Sequence, residues 1–167
     1  MIRINRKDAD FILDFAKSNL EVYAALVRNY NEIVNEIFKN MVERHKNDSK
    51  FDYEYARTMG EANGQKLLLD TVNAYKNIIA TFEGNEEITI TESKADEIAT
   101  FIRNKVQYEI DTPLENESES DKKDTQAISD IVQKNEPCFY DENSSSDNYN
   151  HQKEIKILEI LMVGSND

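Results

Sequence analysis

Residues 8–45 read DADFILDFAKSNLEVYAALVRNYNEIVNEIFKNMVERH, 38 positions with neither glycine nor proline. Within them Tyr23, Val27, Tyr30, Val34, Ile37 and Met41 recur at spacings of 4, 3, 4, 3 and 4. Such spacing lays one apolar face along an α-helix. Leu26, Ile33, Phe38 and Val42 flank the stripe, while Glu21, Asn31, Asn35 and Lys39 lie off it. A stripe this wide expects contact with more than one neighbour. Read as a single helix, the stretch is on the order of 55 Å long at 1.5 Å per residue.

Outward from this stretch, His45-Lys46-Asn47-Asp48-Ser49 interrupts the pattern. Ser49 followed by Asp52 resembles a capping box that opens a second helix. This helix is expected to run to Phe82, on a stripe of Tyr55, Met59, Ala62, Leu69, Val72, Tyr75, Ile79 and Phe82. Gly60 and Gly64 sit inside it, each costing a helix about 1 kcal/mol relative to Ala. They read as tolerated weak points, as a kink, or as a GxxxG surface where another helix approaches. Glu83-Gly84-Asn85 is a stop signal, and Ile88-Thr89-Ile90 alternates as a short extended piece would. Ser93 with Asp96 gives a second capping-box pattern. Ala95, Ile98, Ile102, Val106 and Ile110 then form the face of a third helix, which ends before Pro113 because the residue preceding proline disfavours helix.

Beyond Leu114 the composition changes. ENESESDKKD and DENSSSDNYN are acidic and poor in apolar residues, too poor to offset the entropy of ordering. Ala127, Ile128, Ile131 and Val132 between them suit two turns of amphipathic helix. Ile155–Val163 (IKILEILMV) is apolar, with strand and helix both open. The expected fold is therefore mainly α. It is a three-helix antiparallel bundle, a long helical hairpin plus a third helix, with an acidic, partly disordered C-terminal segment. The expected divisions are a helical domain over 1–112, an acidic flexible segment over 113–152 with a short helix near 125–133, and an apolar element over 153–167 that docks on the core or on a partner. The expected core comprises Tyr30, Val34, Ile37, Leu69, Val72, Ile79, Ile98 and Ile102.

The chain has 167 residues, with 20 Lys+Arg against 33 Asp+Glu and a net charge of −13. Residues 1–50 carry net +1, 51–100 net −6, 101–150 net −7 and 151–167 net −1. That balance opposes direct binding to nucleic acid, which needs clustered positive charge. A single Cys excludes an intramolecular disulfide and a Cys-based zinc cage. No apolar run approaches the roughly 18 residues of a membrane span, and the opening MIRINRKDAD lacks the apolar run of a secretory leader. A cytoplasmic protein with no membrane partner is expected.

Catalytic and cofactor patterns fail on inspection. Gly60–Lys66 misses the phosphate-loop spacing, and Leu67 stands where a hydroxyl would bind magnesium. The run from Asp141 places Ser146 and Gln152 where a calcium loop needs glycine and glutamate. Val42 precedes His45 by three, so the Glu-x-x-His of a di-iron bundle is missing. Cys138 has the acidic neighbours Glu136, Asp141 and Glu142, which work against a thiolate. The expectation is a protein without cofactor and without enzymatic chemistry.

Charge then carries the functional expectation. It is a non-enzymatic acidic interaction protein, regulatory or inhibitory, of a kind encoded by viruses and mobile elements. It would bind a basic protein surface, that of a nucleic-acid-binding protein. The expected contacts are Glu83, Glu86, Glu87, Glu92 and Glu97 around the turn before the third helix. The alternative is an oligomeric helical scaffold or adaptor without charge mimicry. Both readings accommodate a homodimer, with Tyr23, Tyr30, Gly60 and Gly64 as its self-association residues. Tyrosines on apolar stripes suit an interface, where the hydroxyl finds a partner more easily than in a deep core.

Overall fold

The computed structural model describes residues 1–111, 118–137 and 151–166. The chain begins with strand β1 (Ile2–Ile4) and helices α1 (Arg6–Arg28), α2 (Tyr30–Arg44) and α3 (Tyr53–Phe82). Strand β2 (Ile88–Ile90) follows, then α4 (Glu92–Asp111), α5 (Glu119–Asn135) and α6 (Gln152–Val163). The protein is mainly helical, as its composition implies, but it is not a three-helix bundle: six helices stand among the described residues. Of the expected flexible segment 113–152, residues 113–117 and 138–150 lie outside the described residues, and α5 covers the span 125–133 where a short helix is expected.

The single long first helix is the main correction. It breaks at Asn29, which is buried and joins α1 to α2. The Asn29 amide Nδ2 donates to the Ala25 carbonyl, at 2.7 Å, in competition with the backbone N–H that donates to the same oxygen at 3.1 Å. A side chain inserted into the i→i−4 ladder in this way bends or interrupts a helix.

Four helices open on a polar side chain that accepts from the backbone N–H three residues on. Asn5 accepts from Asp8 at 2.8 Å, Asp52 from Tyr55 at 3.0 Å, Thr91 from Lys94 at 3.0 Å and Ser118 from Asp121 at 3.1 Å. Each satisfies one of the orphan donors of a first turn. Two of them replace the expected caps. Asp52, not Ser49, opens α3, and Thr91, not Ser93, opens α4. In both cases the expected cap and the true cap lie within three positions, a shift that the polar run does not resolve.

The chain forms two compact units. Among the described residues the first holds 1–21, 73–111 and 151–166, and the second holds 22–72 and 118–137. The division falls inside α1 and inside α3.

In the first unit β1 and β2 pair antiparallel, with Ile2 opposite Ile90, Arg3 opposite Thr89 and Ile4 opposite Ile88. Ile4, Ile12, Phe15, Tyr75, Phe82, Ile98 and Ile102 are buried. The ring of Tyr75 meets Phe15 and Phe101 edge-on, at centroid distances of 6.4 and 5.1 Å. The C-terminal apolar run is helix α6, packed on α4 and β1 with Ile157, Ile160 and Leu161 buried. After α6 the Ser165 N–H donates to the Arg3 carbonyl at 2.9 Å, so the chain end lies along β1. Gly164 makes that approach possible: its φ is +79°, and a Cβ there would stand 2.7 Å from the Arg3 oxygen. No L side chain fits that space.

In the second unit α2 runs antiparallel to α3. Tyr30, at the start of α2, meets residues 61–64, while Phe38 further along meets Gly60 and Tyr53. Helix α5 lies along α2 in the opposite direction, since Lys134 reaches Glu32 and Asp124 reaches Arg44. The expected core is partly right. Val34, Val72, Ile98 and Ile102 are buried, and Tyr30, Ile37 and Ile79 are half-buried. Leu69, with Tyr55 and Met59 of the same expected stripe, is exposed instead.

Candidate interaction surfaces

The acidic turn between α3 and α4 is built in the first unit and is held from below by one arginine. Arg6 Nη2 donates to the Phe82 carbonyl at 2.6 Å and Nη1 to the Glu86 carbonyl at 3.2 Å, while Nε reaches Asp10 at 2.7 Å. The first bond satisfies a carbonyl left over at the end of α3, the second holds the loop that follows, and the positive charge suits a helix C-terminus. Gly84 makes the turn itself, with φ at +128°.

Glu83, Glu86, Glu87, Glu92 and Glu97 are all exposed. Three of them already meet a cation of the chain. Arg3 Nε pairs with Glu87 at 2.6 Å, the N-terminal ammonium with Glu92 at 3.8 Å, and Lys94 with Glu97 at 3.4 Å. Among the described residues no cation pairs with the carboxylates of Glu83 or Glu86. The negative field of the rim is therefore concentrated at these two. Exposed pairs of the other kind contribute little to stability.

The residues expected to serve self-association lie elsewhere, in the second unit. Gly60 and Gly64 admit α2: a Cβ on Gly60 would stand 3.0 Å from the Phe38 ring, and one on Gly64 3.0 Å from the Tyr30 hydroxyl. That hydroxyl donates to the Glu61 carbonyl at 2.5 Å. Burial, with the nearby Glu61 charge, raises the Tyr30 phenol above its ordinary value of 10.0. The close approach that the glycines permit is thus made by the chain's own Tyr30 and Phe38. Tyr23 is half-buried on α1.

A polar cluster that periodicity does not reveal ties the end of α5 to the α1–α2 joint. Glu136 accepts from the Arg28 guanidinium and from Asn29 Nδ2. Asn135 Nδ2 donates to Asn29 Oδ1 and to Glu32 Oε2, and Lys134 Nζ donates to Glu32 Oε1 at 2.6 Å. The hydrogen bond from Lys134, then that from Asn135, holds the Glu32 carboxyl below its ordinary value. Arg28 does the same for Glu136, and Asn29 adds to it. The available signal was Asn29 itself, a helix-competing residue in the middle of a helical stripe.

Among the described residues no three of His, Cys, Asp and Glu are grouped to hold a metal ion, and no helix is long and apolar enough to cross a membrane. Cys138 and the run from Asp141 to Asn150 lie outside the described residues. Fold and surfaces together define a mainly helical protein. No protein-family model matches the chain, and neither a curated protein nor a solved structure matches it.

Proposed function

We propose that the protein is a non-enzymatic interaction protein, regulatory or inhibitory in effect, whose acidic rim engages a basic surface of a partner. The partner class is a nucleic-acid-binding protein, and the rim occupies a groove that would otherwise hold a phosphate backbone. The observation that carries this reading is the turn at Glu83–Glu87. Arg6 fastens its backbone from beneath, while Glu83 and Glu86 present exposed carboxylates with no cation of the described residues against them. A turn fixed in this way loses little entropy on binding, unlike a flexible acidic segment. The net charge of −13 adds long-range attraction that speeds encounter at low salt.

The test is competition. The full chain is added to nucleic-acid-binding proteins with basic grooves, each preloaded with fluorescent duplex DNA, at low and at high salt. The expected result is displacement of duplex from a subset of them, weakening as salt rises. The variant Glu83→Lys/Glu86→Lys/Glu87→Lys should displace far more slowly and with a flatter salt dependence. Equal displacement by parent and variant at both salts removes the rim from the function, and no displacement at either salt removes the reading.

The second reading, a helical scaffold or adaptor that acts as a homodimer, is favoured by a different observation: the exposed apolar side chains of α3.

A further inference from the structure

Helix α3 presents two faces over its first half, and among the described residues the chain itself covers one of them. Over its first half the covered face runs through Gly60 and Gly64, against Phe38 and Tyr30. The other face carries Tyr55, Met59, Ala62, Lys66 and Leu69, all exposed; Tyr55 is 66% exposed and Met59 and Leu69 are each 44% exposed. These five fall at spacings of 4, 3, 4 and 3, the alternation of a two-helix seam. Scattered surface leucines need no explanation, but a continuous seam on one helix does.

We propose that this face is a homodimer seam, with the α3 helices of two copies packed antiparallel about a two-fold axis level with residue 64. Two observations select a second copy in this orientation. The first is charge. Like chains of net −13 repel, yet residues 53–69 contain two acids, Glu54 and Glu61, and two bases, Arg57 and Lys66. The seam is therefore a locally neutral window in an acidic molecule, where copies approach with least opposition.

The second observation is the place of Lys66. In a parallel pair Lys66 would face Lys66 of the other copy inside the seam, two like charges in contact. In the antiparallel pair the axis sets Lys66 over Ala62 of the other copy, and Met59 against Leu69. Ala62 is small enough for the lysine stem to lie across it while the ammonium reaches water. Antiparallel packing also opposes the two helix dipoles favourably. The interface is isologous, as a two-fold requires. At 1.5 Å per residue the seam from Tyr55 to Leu69 is roughly 21 Å long. That is short of a standard interface, so association is expected in the micromolar range. The seam shares no residue with the acidic rim and stands whether or not the rim has a partner.

Sedimentation of the full chain from about 1 to about 300 micromolar reads the outcome directly. The expected result is a mass that rises from one chain to two. Met59→Glu and Leu69→Glu should each weaken the dimer at least about tenfold, with far-UV circular dichroism unchanged and with melting temperature unchanged at about 1 micromolar, where the parent is also a single chain. In a Cys138→Ser background, Ala62→Cys with Lys66→Cys should trap a covalent dimer on oxidation, and Leu69→Cys alone should not. A one-chain mass throughout, a dimer unaffected by Met59→Glu and Leu69→Glu, or efficient cross-linking through Leu69→Cys alone would each overturn the proposal.

Discussion

The Tyr30 hydroxyl occupies the space that a side chain at Gly64 would need: it lies 3.0 Å from the position of a Cβ there, and it donates to the Glu61 carbonyl one turn earlier. The missing side chain and the hydrogen bond depend on each other. A helix glycine that periodicity marks as a weak point is the floor on which α2 rests.

This coupling is measurable as a double-mutant cycle. Gly64→Leu should destabilise the protein by about 1–3 kcal/mol through overpacking against Tyr30. Gly64→Ala in the parent should change stability little, because about 1 kcal/mol of helix propensity is offset by a crowded or broken hydrogen bond of similar size. In a Tyr30→Phe background the hydroxyl is gone, and Gly64→Ala should then stabilise by about 1 kcal/mol. Chemical denaturation of the four proteins checks it, and additive effects would show that the contact is not energetically coupled.

The helix caps give a paired comparison. Asp52→Ala and Thr91→Ala should each cost about 1 kcal/mol, since each removes an acceptor for a first-turn N–H. Ser49→Ala and Ser93→Ala should each change stability by less than about 0.5 kcal/mol. Thermal melts of the four variants decide between the observed caps and those two serines.

Helix α6 makes the C-terminal run part of the first unit's core. Ile157 is fully buried, whereas Ile155 two positions earlier is 51% exposed. Ile157→Ala should destabilise by about 2–5 kcal/mol, the range for a large-to-small core change. Ile155→Ala should have an effect below about 0.5 kcal/mol. Similar losses for the two would mean that α6 does not present this face to α4 and β1.

Docking of α5 should depend on pH in a defined direction. Glu32 and Glu136 are held below their ordinary value of 4.5 in the folded chain. A carboxylate whose folded pKa is depressed contributes stability that is fully present above its unfolded pKa and is lost as pH falls through the folded one. Protection of α5 amides from hydrogen exchange should thus be constant from neutral pH down to about 4.5 and decline below it. Glu136→Gln keeps the shape of the group but removes its charge, so the decline should become shallower and protection at neutral pH lower. A variant with the parent's pH profile would detach Glu136 from this behaviour.

Much of the architecture was legible because it is local. The apolar positions of α4 repeat at helical spacing, so Ile98 and Ile102 could be assigned to the core before any neighbour was known. Ile88–Ile90 alternates and is flanked by turn residues, and it is a strand. The wide stripe of residues 23–42 correctly implied more than one neighbour, and α2 indeed touches both α3 and α5. The acidic rim was visible as a run of glutamates, but not the cations that meet three of them. Arg3 is 84 residues from Glu87, and Arg6 is 76 from the Phe82 carbonyl that it caps.

What the sequence by itself determined, then, is helix content, the approximate reach of most elements and the acidity of the surface between them. Each follows from interactions among residues a few positions apart. Tertiary structure decided two further things. It broke the first helix at Asn29, where an amide that also serves Ala25 is held by Glu136, 107 residues away. It also chose which face of α3 turns inward. Periodicity favours the face of Tyr55, Met59 and Leu69 over the face of Gly60 and Gly64. Only the fit of Tyr30 and Phe38 over Gly64 and Gly60 buries one and leaves Tyr55, Met59 and Leu69 outside, because close packing depends on the shape of the partner and not on hydrophobicity alone.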